Sequence, residues 1–348
     1  MINIYLLIII EAVLIHLCTH LLFPLNLKIS KKMKLVAYPG ERKIHKIPIP
    51  EAGGLCFALP IILAQATFGL FSGNAEMGKM LLELSGVGFL ALCFGVWDDR
   101  FESPPPYKLV WQICLGVIMY LFGYRVLYLT NPFGEHFILG WLSFPVTVVW
   151  YLIVINAINF IDGLDGLACG ITIIVSAVLI VIGIKEQNEL VIAISSFLLA
   201  GNLAFLRYNF YPAKIFMGET GALFIGLNIA AISTAGTSQY KGITSITLMV
   251  PLAVMAVPLI DFVLAVFRRL HYRDMFHSDK EHIHHTMLDI GFSQRAIAII
   301  IYLVTLLFGL IAIGFSFSSQ KIVFSLLLGL FALMVVIAYL IMRQERKK

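Results

Sequence analysis

Polar and acidic side chains interrupt the apolar sequence at residues 156–170, which read Asn-Ala-Ile-Asn-Phe-Ile-Asp-Gly-Leu-Asp-Gly-Leu-Ala-Cys-Gly. Asn156, Asn159 and Asp162 recur at intervals of three, so they project from one face if the preceding helix continues through them. Two glycines follow and let the backbone pass close to a ligand. Asn and Asp are also common helix caps, which is the alternative for each residue taken singly. The whole stretch, including Asp165, indicates a functional site.

A pair of adjacent aspartates, Asp98 and Asp99, ends another apolar segment. Neighbouring carboxylates repel each other, so the pKa of one of them rises unless a cation lies between it and a partner. Such a pair is typical of a metal-linked or acid/base site; the alternative is a solvated pair at a helix end. Glu219 is a further candidate because it lies between Gly218 and Gly221 where an apolar segment begins.

Basic and histidine residues concentrate in two loops. In the first, Arg42, Lys43 and His45 precede a Pro-Ile-Pro sequence and indicate a phosphate-contacting loop, whereas anionic lipid head groups suffice to explain the lysines of residues 28–34. The second covers residues 268–295, where no cysteine lies nearby and the spacing is not that of a His-Glu-x-x-His zinc site. Phosphate is therefore the preferred ligand, with zinc as the alternative. The candidates in this second loop are Lys280, His282, His284 and His285.

The composition places these residues in a membrane protein. Of the 348 residues, 60% are hydrophobic and 13% are charged, whereas soluble domains have an apolar share of about half and a charged share of about a quarter. A helical span needs roughly 20 mainly apolar residues. We therefore predict an all-α, polytopic membrane protein with about eleven transmembrane helices. The predicted spans are 3–25, 53–72, 80–97, 108–129, 140–158, 167–184, 189–206, 219–237, 243–267, 296–317 and 321–342.

The first apolar segment, residues 3–25, is read as a retained span. No basic residue precedes it and no clear small-residue cleavage site follows it, which argues against a signal peptide. The five cysteines are odd in number, widely spaced and within or beside apolar segments, which predicts free thiols.

The distribution of Lys and Arg predicts the orientation. One set of alternate loops contains twenty of the twenty-five basic residues, and the opposite set contains Lys79, Arg125, Lys185, Lys241 and Lys321. By the positive-inside rule the first set is cytoplasmic, with the N-terminus outside and the C-terminus inside. The polar clusters all fall on that side. We predict one membrane-embedded catalytic domain over residues 1–348. Its active-site loops lie at about 26–54, 98–108, 158–167, 207–221 and 268–295.

These parts suit a reaction between two anionic phosphates. Magnesium usually takes one or two carboxylates and keeps its other positions for water and phosphate oxygens, so it can neutralise the charge that develops on a leaving group. A second carboxylate can prepare the nucleophile. A site at the membrane surface, without a large soluble domain, indicates one substrate that stays in the bilayer, such as a polyprenyl phosphate, and another from the cytosol.

The motifs resemble those of a known family. Asp98-Asp99, the segment 156–166, Phe216-Met-Gly-Glu-Thr-Gly and His282-Ile-His-His are similar in order and topology to the four cytoplasmic motifs of the polyprenyl-phosphate N-acetylhexosamine-1-phosphate transferases, glycosyltransferase family 4. The His-Ile-His-His form resembles the branch that transfers N-acetylglucosamine 1-phosphate. The resemblance implies that UDP-N-acetylhexosamine and undecaprenyl phosphate give the undecaprenyl-diphospho sugar and UMP, with Mg²⁺, or Mn²⁺, as cofactor.

The resemblance also implies roles for individual residues. Asp98 would deprotonate or orient the lipid phosphate, with Asp99 beside it. Asn159 and Glu219 would hold magnesium. The remaining candidates would contact the uridine, the phosphates or the sugar: Phe216, Asp165 and Asp162 at or near the uridine, and Lys108, His45, Lys280, His282, His284 and His285 at phosphate or sugar.

One position departs from the family pattern, and two other functions remain open. The family usually has Met-Gly-Asp-Thr-Gly-Ser, whereas this chain reads Met217-Gly-Glu219-Thr-Gly-Ala222. Glu is one methylene longer, so the metal would shift or the loop retract, and the metal or sugar preference could differ. A transporter for a cation or a sugar phosphate is one alternative, although transporters place their sites near the membrane midplane. A catalytically silent protein that binds the lipid carrier is the other.

The expected partners follow from this interpretation. They are undecaprenyl phosphate, a UDP-N-acetylhexosamine and the lipid bilayer of the bacterial cytoplasmic membrane, with no nucleic acid, and a homodimer is compatible with it. The reaction would be the first membrane step of a cell-envelope polysaccharide such as lipopolysaccharide or teichoic acid.

Overall fold

The computed structural model describes residues 4–38, 47–129, 137–239, 287–288, 291–317 and 329. Within them, α-helices are joined by short turns and by two antiparallel ladders. The ladders pair β1 (Val36–Ala37) with β2 (Ile49–Pro50) and β3 (Tyr128–Leu129) with β4 (Phe137–Ile138). The helices are α1 (Ile4–Lys32), α2 (Gly54–Phe71), α3 (Ala75–Phe101), α4 (Pro105–Leu121), α5 (Ser143–Ile161), α6 (Leu167–Lys185), α7 (Glu189–Asn209), α8 (Gly218–Gln239) and α9 (Gln294–Phe317).

Seven helices among the described residues are long and apolar enough to cross a membrane. They are α1, α2, α3, α5 with the 3₁₀ turn before it, α6, α7 and α9. The predicted helical, multi-pass membrane fold is therefore confirmed. The number of eleven spans and the orientation of the termini stay predictions. The predicted span 243–267 lies outside the described residues, and so does 321–342 except for position 329.

Helix α4 is shorter than the predicted span 108–129, so that prediction was wrong at its C-terminal end. The helix ends at Leu121, and Gly123 then adopts a positive φ of 93°. A left-handed glycine next to the last turn is a common way to end a helix. The amide of Tyr124 donates to the carbonyl of Met119 at 3.0 Å, and the chain continues into β3.

The turn between α3 and α4 places the aspartate pair opposite the first turn of α4. Helix α3 ends at Phe101, and the next residue, Glu102, has a left-handed backbone (φ 47°) and donates its amide to the carbonyl of Asp98. The amide of Ser103 then donates to Oδ1 of Asp98 at 3.1 Å. Pro104 and Pro105 follow, and proline suits the start of a helix because the first amides have no intrahelical partner.

Helix α8 occupies the centre of the bundle, where it packs against α2, α3, α5 and α7. Its side chains are buried on every side from Ala222 to Ala235, as expected for a helix that is apolar all round. Hydrogen bonds between side chains hold it to its neighbours, as polar residues do in membrane bundles. These bonds join Gln65 to Asn228 at 2.7 Å, Trp150 to Ser233 at 2.6 Å and Tyr151 to Thr234 at 3.1 Å.

The ends of several helices meet at one end of the bundle. The amide of Gly53, just before α2, donates to the carbonyl of Phe216, just before α8, at 2.9 Å. The C-terminus of α3, the N-terminus of α4 and the C-terminus of α5 lie at the same end, as the contacts below show. Every described candidate residue of the sequence analysis is therefore gathered there.

Candidate active site

A lysine links two of the predicted acidic residues. Nζ of Lys108, in the first turn of α4, lies 2.7 Å from Oδ2 of Asp98 and 2.6 Å from Oε1 of Glu219. Asp98 is almost fully buried, with 2% of its side chain exposed, while Lys108 and Glu219 keep 27% and 24%. A buried carboxylate requires a compensating charge. The ammonium provides it, and its partial exposure leaves the group accessible to a ligand.

Glu219 has a second partner on α5. The side-chain amide of Asn159 donates a hydrogen bond to Oε2 of Glu219. Helix α5 continues to Ile161, so the predicted helical spacing applies to Asn156 and Asn159, whereas Asp162 lies just after the end of the helix. Asn156 meets α4 instead, because its amide donates to Oε1 of Gln112 at 2.6 Å.

The residues around Glu219 fit a magnesium ion. Within the described part of the chain, no three His, Cys, Asp or Glu side chains are gathered as a metal site. Magnesium does not require such a group, since one or two carboxylates suffice when water and phosphate oxygens complete its octahedron. Asp98 and Glu219 converge on one cation, Lys108, and rotation of the Asn159 amide would present an oxygen beside Oε2 of Glu219.

Asp99 contacts the start of α8. Its Oδ1 accepts the amide of Glu219 at 2.7 Å, and its Oδ2 accepts the amide of Thr220 at 3.2 Å. The hydroxyl of Thr220 also donates to Oδ2. The two adjacent aspartates therefore have different partners, one a charged side chain and the other the backbone of a helix.

Asp162 and Asp165 lie in the turn between α5 and α6. Asp162 is half-buried and follows the last residue of α5. Burial, together with the nearby carboxylates of Glu219 and Asp99, raises the pKa of Asp162 well above its ordinary value. Oδ2 of Asp165 accepts the amide of Ala213 at 2.9 Å, so this carboxylate holds the turn that leads from α7 to α8.

Phe216 occupies that same turn. Its amide donates to the carbonyl of Pro50 at 2.9 Å, and its carbonyl accepts the amide of Gly53. These bonds fix the segment that precedes Glu219, while the ring is only half-buried. The roles predicted for Phe216, Asp162 and Asp165 at the uridine stay predictions. The other predicted loop residues lie outside the described residues: His45, Lys280, His282, His284 and His285.

The sequence analysis did not single out several residues that shape the site. Thr220 binds Asp99, and Gln112 binds Asn156. Tyr302 of α9 donates its hydroxyl to the carbonyl of Gly166 at 2.6 Å and so supports the turn between α5 and α6. The position of Thr220, next to Glu219 in a Gly-Glu-Thr-Gly turn, was a usable signal. Nothing in the sequence relates Tyr302 to residues 136 positions earlier.

Comparison with known proteins gives consistent results. The model of glycosyl transferase family 4 matches residues 81–237, which include Asp98, Lys108, Asn159 and Glu219. The chain is 32% identical to a probable undecaprenyl-phosphate N-acetylglucosaminyl 1-phosphate transferase of Bacillus subtilis, over 95% of this chain and 90% of that protein. It is 34% identical to the decaprenyl-phosphate N-acetylglucosaminephosphotransferase of Mycobacterium tuberculosis (82% and 76%). It is 30% identical to the undecaprenyl-phosphate alpha-N-acetylglucosaminyl 1-phosphate transferase of Escherichia coli K12 (87% and 82%).

Proposed function

Since the chain belongs to glycosyl transferase family 4, we propose that it transfers N-acetylglucosamine 1-phosphate from UDP-N-acetylglucosamine to undecaprenyl phosphate. An oxygen of the lipid phosphate attacks the phosphorus that carries the sugar. The bond from that phosphorus to the bridging oxygen breaks, and UMP leaves with this oxygen. The products are UMP and the undecaprenyl-diphospho sugar. The names of the three relatives support this substrate class.

The contact of Lys108 with both Asp98 and Glu219 is the observation that carries the proposal. Two negatively charged substrates must approach each other in this reaction, and a positive group between them reduces their repulsion. Lys108 can form this contact with a phosphate because it is partly exposed. Asp98, next to it, is placed to orient the lipid phosphate or to accept its proton.

We propose magnesium as the cofactor, with Asn159 and Glu219 as the residues that would hold it. The bound ion would neutralise charge on the diphosphate as UMP leaves. The chemistry of the donors supports this choice, since carboxylate and amide oxygens suit a hard cation. Lys108 and a divalent cation would then compete for Glu219 in the absence of substrate.

We place the protein in the bacterial cytoplasmic membrane with this site facing the cytoplasm. The partition of basic residues supports this orientation, and so does the gathering of the polar residues at one end of the helices. A site at one end also favours an enzyme over a transporter, whose site would lie near the membrane midplane. The reaction would begin the assembly of a cell-envelope polysaccharide.

Release of UMP tests the proposed function. Inverted membrane vesicles that contain the protein are incubated with UDP-N-acetylglucosamine, undecaprenyl phosphate and magnesium, and UMP is measured. We expect UMP to form in proportion to a lipid-linked sugar, and only when the lipid phosphate is present. Right-side-out vesicles should be inactive because the UDP-sugar cannot cross the bilayer. Absence of UMP in both preparations would refute the transferase, and equal rates in both would refute the orientation.

A further inference from the structure

We propose that Asp99 and Thr220 are positioning residues that fix the first turn of α8 and thereby set the place of the Glu219 carboxylate. This inference rests on the proposed function, because it concerns how the metal ligand of that site is held. It also divides the aspartate pair between two tasks. Asp98 serves the reaction, whereas Asp99 acts through Glu219.

The hydrogen bonds of Asp99 are those of a helix cap supplied by another helix. The first amides of a helix have no intrahelical acceptors, and Gly218 has no side chain that could cap α8 from within its own turn. Both oxygens of Asp99 fill this role by accepting the amides of Glu219 and Thr220. The acceptor positions of Asp99 are thus used by protein donors.

Thr220 strengthens this cap, but its side chain is not exposed to a bound substrate. Its hydroxyl donates to Oδ2 of Asp99, and the residue is completely buried. The neighbouring Glu219 remains partly exposed and faces Lys108 and Asn159. We therefore expect the Thr220 hydroxyl to affect catalysis through the position of α8.

Close backbone packing leaves α8 little freedom to move away from the cap. A Cβ on Gly95 of α3 would lie 2.5 Å from Cα of Thr220, and one on Gly54 of α2 would lie 2.3 Å from the amide nitrogen of Gly221. Gly218 has a φ of 71°, and a Cβ there would lie 2.6 Å from Oδ2 of Asp99. Gly95 and Gly54 allow α3 and α2 to touch α8 backbone to backbone, and Gly218 leaves room for the Asp99 carboxylate. Asp99 is therefore held at one fixed distance from the start of α8.

Replacement of Thr220 by valine is the central test, because it removes the hydroxyl and keeps the shape. Mn²⁺ binding to the purified protein in detergent is measured by electron paramagnetic resonance without substrates, next to kcat and its pH profile. We expect Thr220→Val to lower Mn²⁺ affinity and kcat by about tenfold each, the lower end of the range for residues that orient metal ligands. Thr220→Ser, which keeps the hydroxyl, should restore both. In both variants the acidic limb of the pH profile of kcat should lie at the same pH as in the wild type.

Two further variants separate positioning from direct chemistry. Asp99→Asn presents an NH₂ group to the Thr220 donors, so it should give the same kind of defect as Thr220→Val. The double variant should be no worse than Asp99→Asn, since both remove one interaction. Thr234→Val is the matched control: it removes a buried hydroxyl from the same helix, one bonded to the carbonyl of Ala230 at 3.0 Å. It should bind Mn²⁺ like the wild type, and thermal unfolding checks that each variant is folded.

The outcomes are distinct. Thr220→Val with wild-type Mn²⁺ affinity and kcat, together with loss of the acidic limb in Asp99→Asn, would overturn the proposal and make Asp99 the base. Wild-type protein that binds no Mn²⁺ would also overturn it, since Glu219 would then have no cation to hold. If the wild type released no UMP but bound Mn²⁺, the proposed function would fail, while the affinities of the variants would still decide the role of Thr220. If Thr220→Val did not fold, Asp99→Asn and Thr220→Ser would decide it.

Discussion

Nζ of Lys108 lies 2.6 Å from Oε1 of Glu219 and joins the first turn of α4 to the first turn of α8. The same ammonium contacts Asp98 at 2.7 Å, so one positive charge serves two carboxylates that would otherwise repel each other. A divalent cation bound to Glu219 would take over part of this task. Lys108 could then turn towards a substrate phosphate.

Lys108→Gln tests this double role. We expect UMP release to fall at least 10²-fold, because the variant leaves the phosphates without a cation partner. We also expect Mn²⁺ affinity without substrate to rise, since the competing ammonium has gone. Lys79→Gln is the control, because Lys79 is 75% exposed and pairs with Glu83 at 3.8 Å instead. A parallel loss of turnover and Mn²⁺ binding in Lys108→Gln would contradict the competition.

Asp98→Asn tests the residue that is placed beside the lipid phosphate. We expect turnover to fall by several orders of magnitude while the binding of the UDP-sugar changes little, since general base catalysis typically contributes roughly 10²- to 10⁴-fold. The buried amide can still accept a hydrogen bond from the amide of Ser103, so the fold should persist. Steady-state UMP release and equilibrium binding of the UDP-sugar measure the two effects. Near-normal turnover would rule out this role for Asp98.

Gly95→Ala tests whether the close contact between α3 and α8 matters. The added Cβ would lie 2.5 Å from Cα of Thr220, so one helix must shift, and overpacking of this kind typically costs about 1–3 kcal/mol. We expect a lower unfolding temperature and a large loss of UMP release. The control is Gly86→Ala on the same helix, where a Cβ meets nothing within 4 Å. Gly86→Ala should retain UMP release. Equal defects in the two variants would show that the loss in Gly95→Ala does not come from its contact with α8.

These contacts show what the sequence could and could not predict. The helices were predictable because each is a long apolar run, and the convergence of Asp98, Asn159 and Glu219 followed from placing their motifs on one side of the membrane. The end of α4 at Leu121 was not predictable, because the apolar sequence continues beyond this residue while Gly123 turns the backbone. The role of Asp99 was not predictable either. Adjacent aspartates look equivalent in a sequence, and only the crossing of α3 with α8 directs one of them to a helix terminus.

The raised pKa of Asp162 predicts how stability depends on pH. In the unfolded chain an aspartate titrates at about 3.9, whereas burial and the carboxylates of Glu219 and Asp99 raise the pKa of Asp162 well above this in the folded protein. Between the two values the folded state binds more protons than the unfolded state, so stability falls as the pH rises. Asp162→Asn stays neutral and lacks this dependence.

The measurement is thermal unfolding of the metal-free protein in detergent from pH 5 to pH 9, for the wild type and Asp162→Asn. We expect the unfolding temperature of the variant to exceed that of the wild type by an amount that grows as the pH rises to the folded-state pKa. Added magnesium should reduce the difference by neutralising the nearby carboxylates. Curves that run parallel at all pH values would contradict the raised pKa.

Glu219 allows the sharpest test of the metal site, because the family usually has aspartate at this position. Glu219→Gln keeps the size of the side chain and can still accept from Asn159, but it lacks the charge that holds a hard cation. We expect UMP release to collapse, Mn²⁺ binding to weaken, and higher magnesium to recover only part of the rate. Glu219→Asp keeps the charge on a shorter side chain, so its carboxylate withdraws from Lys108 and Asn159 while Asp99 still holds the start of α8. We expect this variant to remain active with an altered preference between Mg²⁺ and Mn²⁺. A Glu219→Gln enzyme with the rate and metal dependence of the wild type would mean that the metal is held elsewhere.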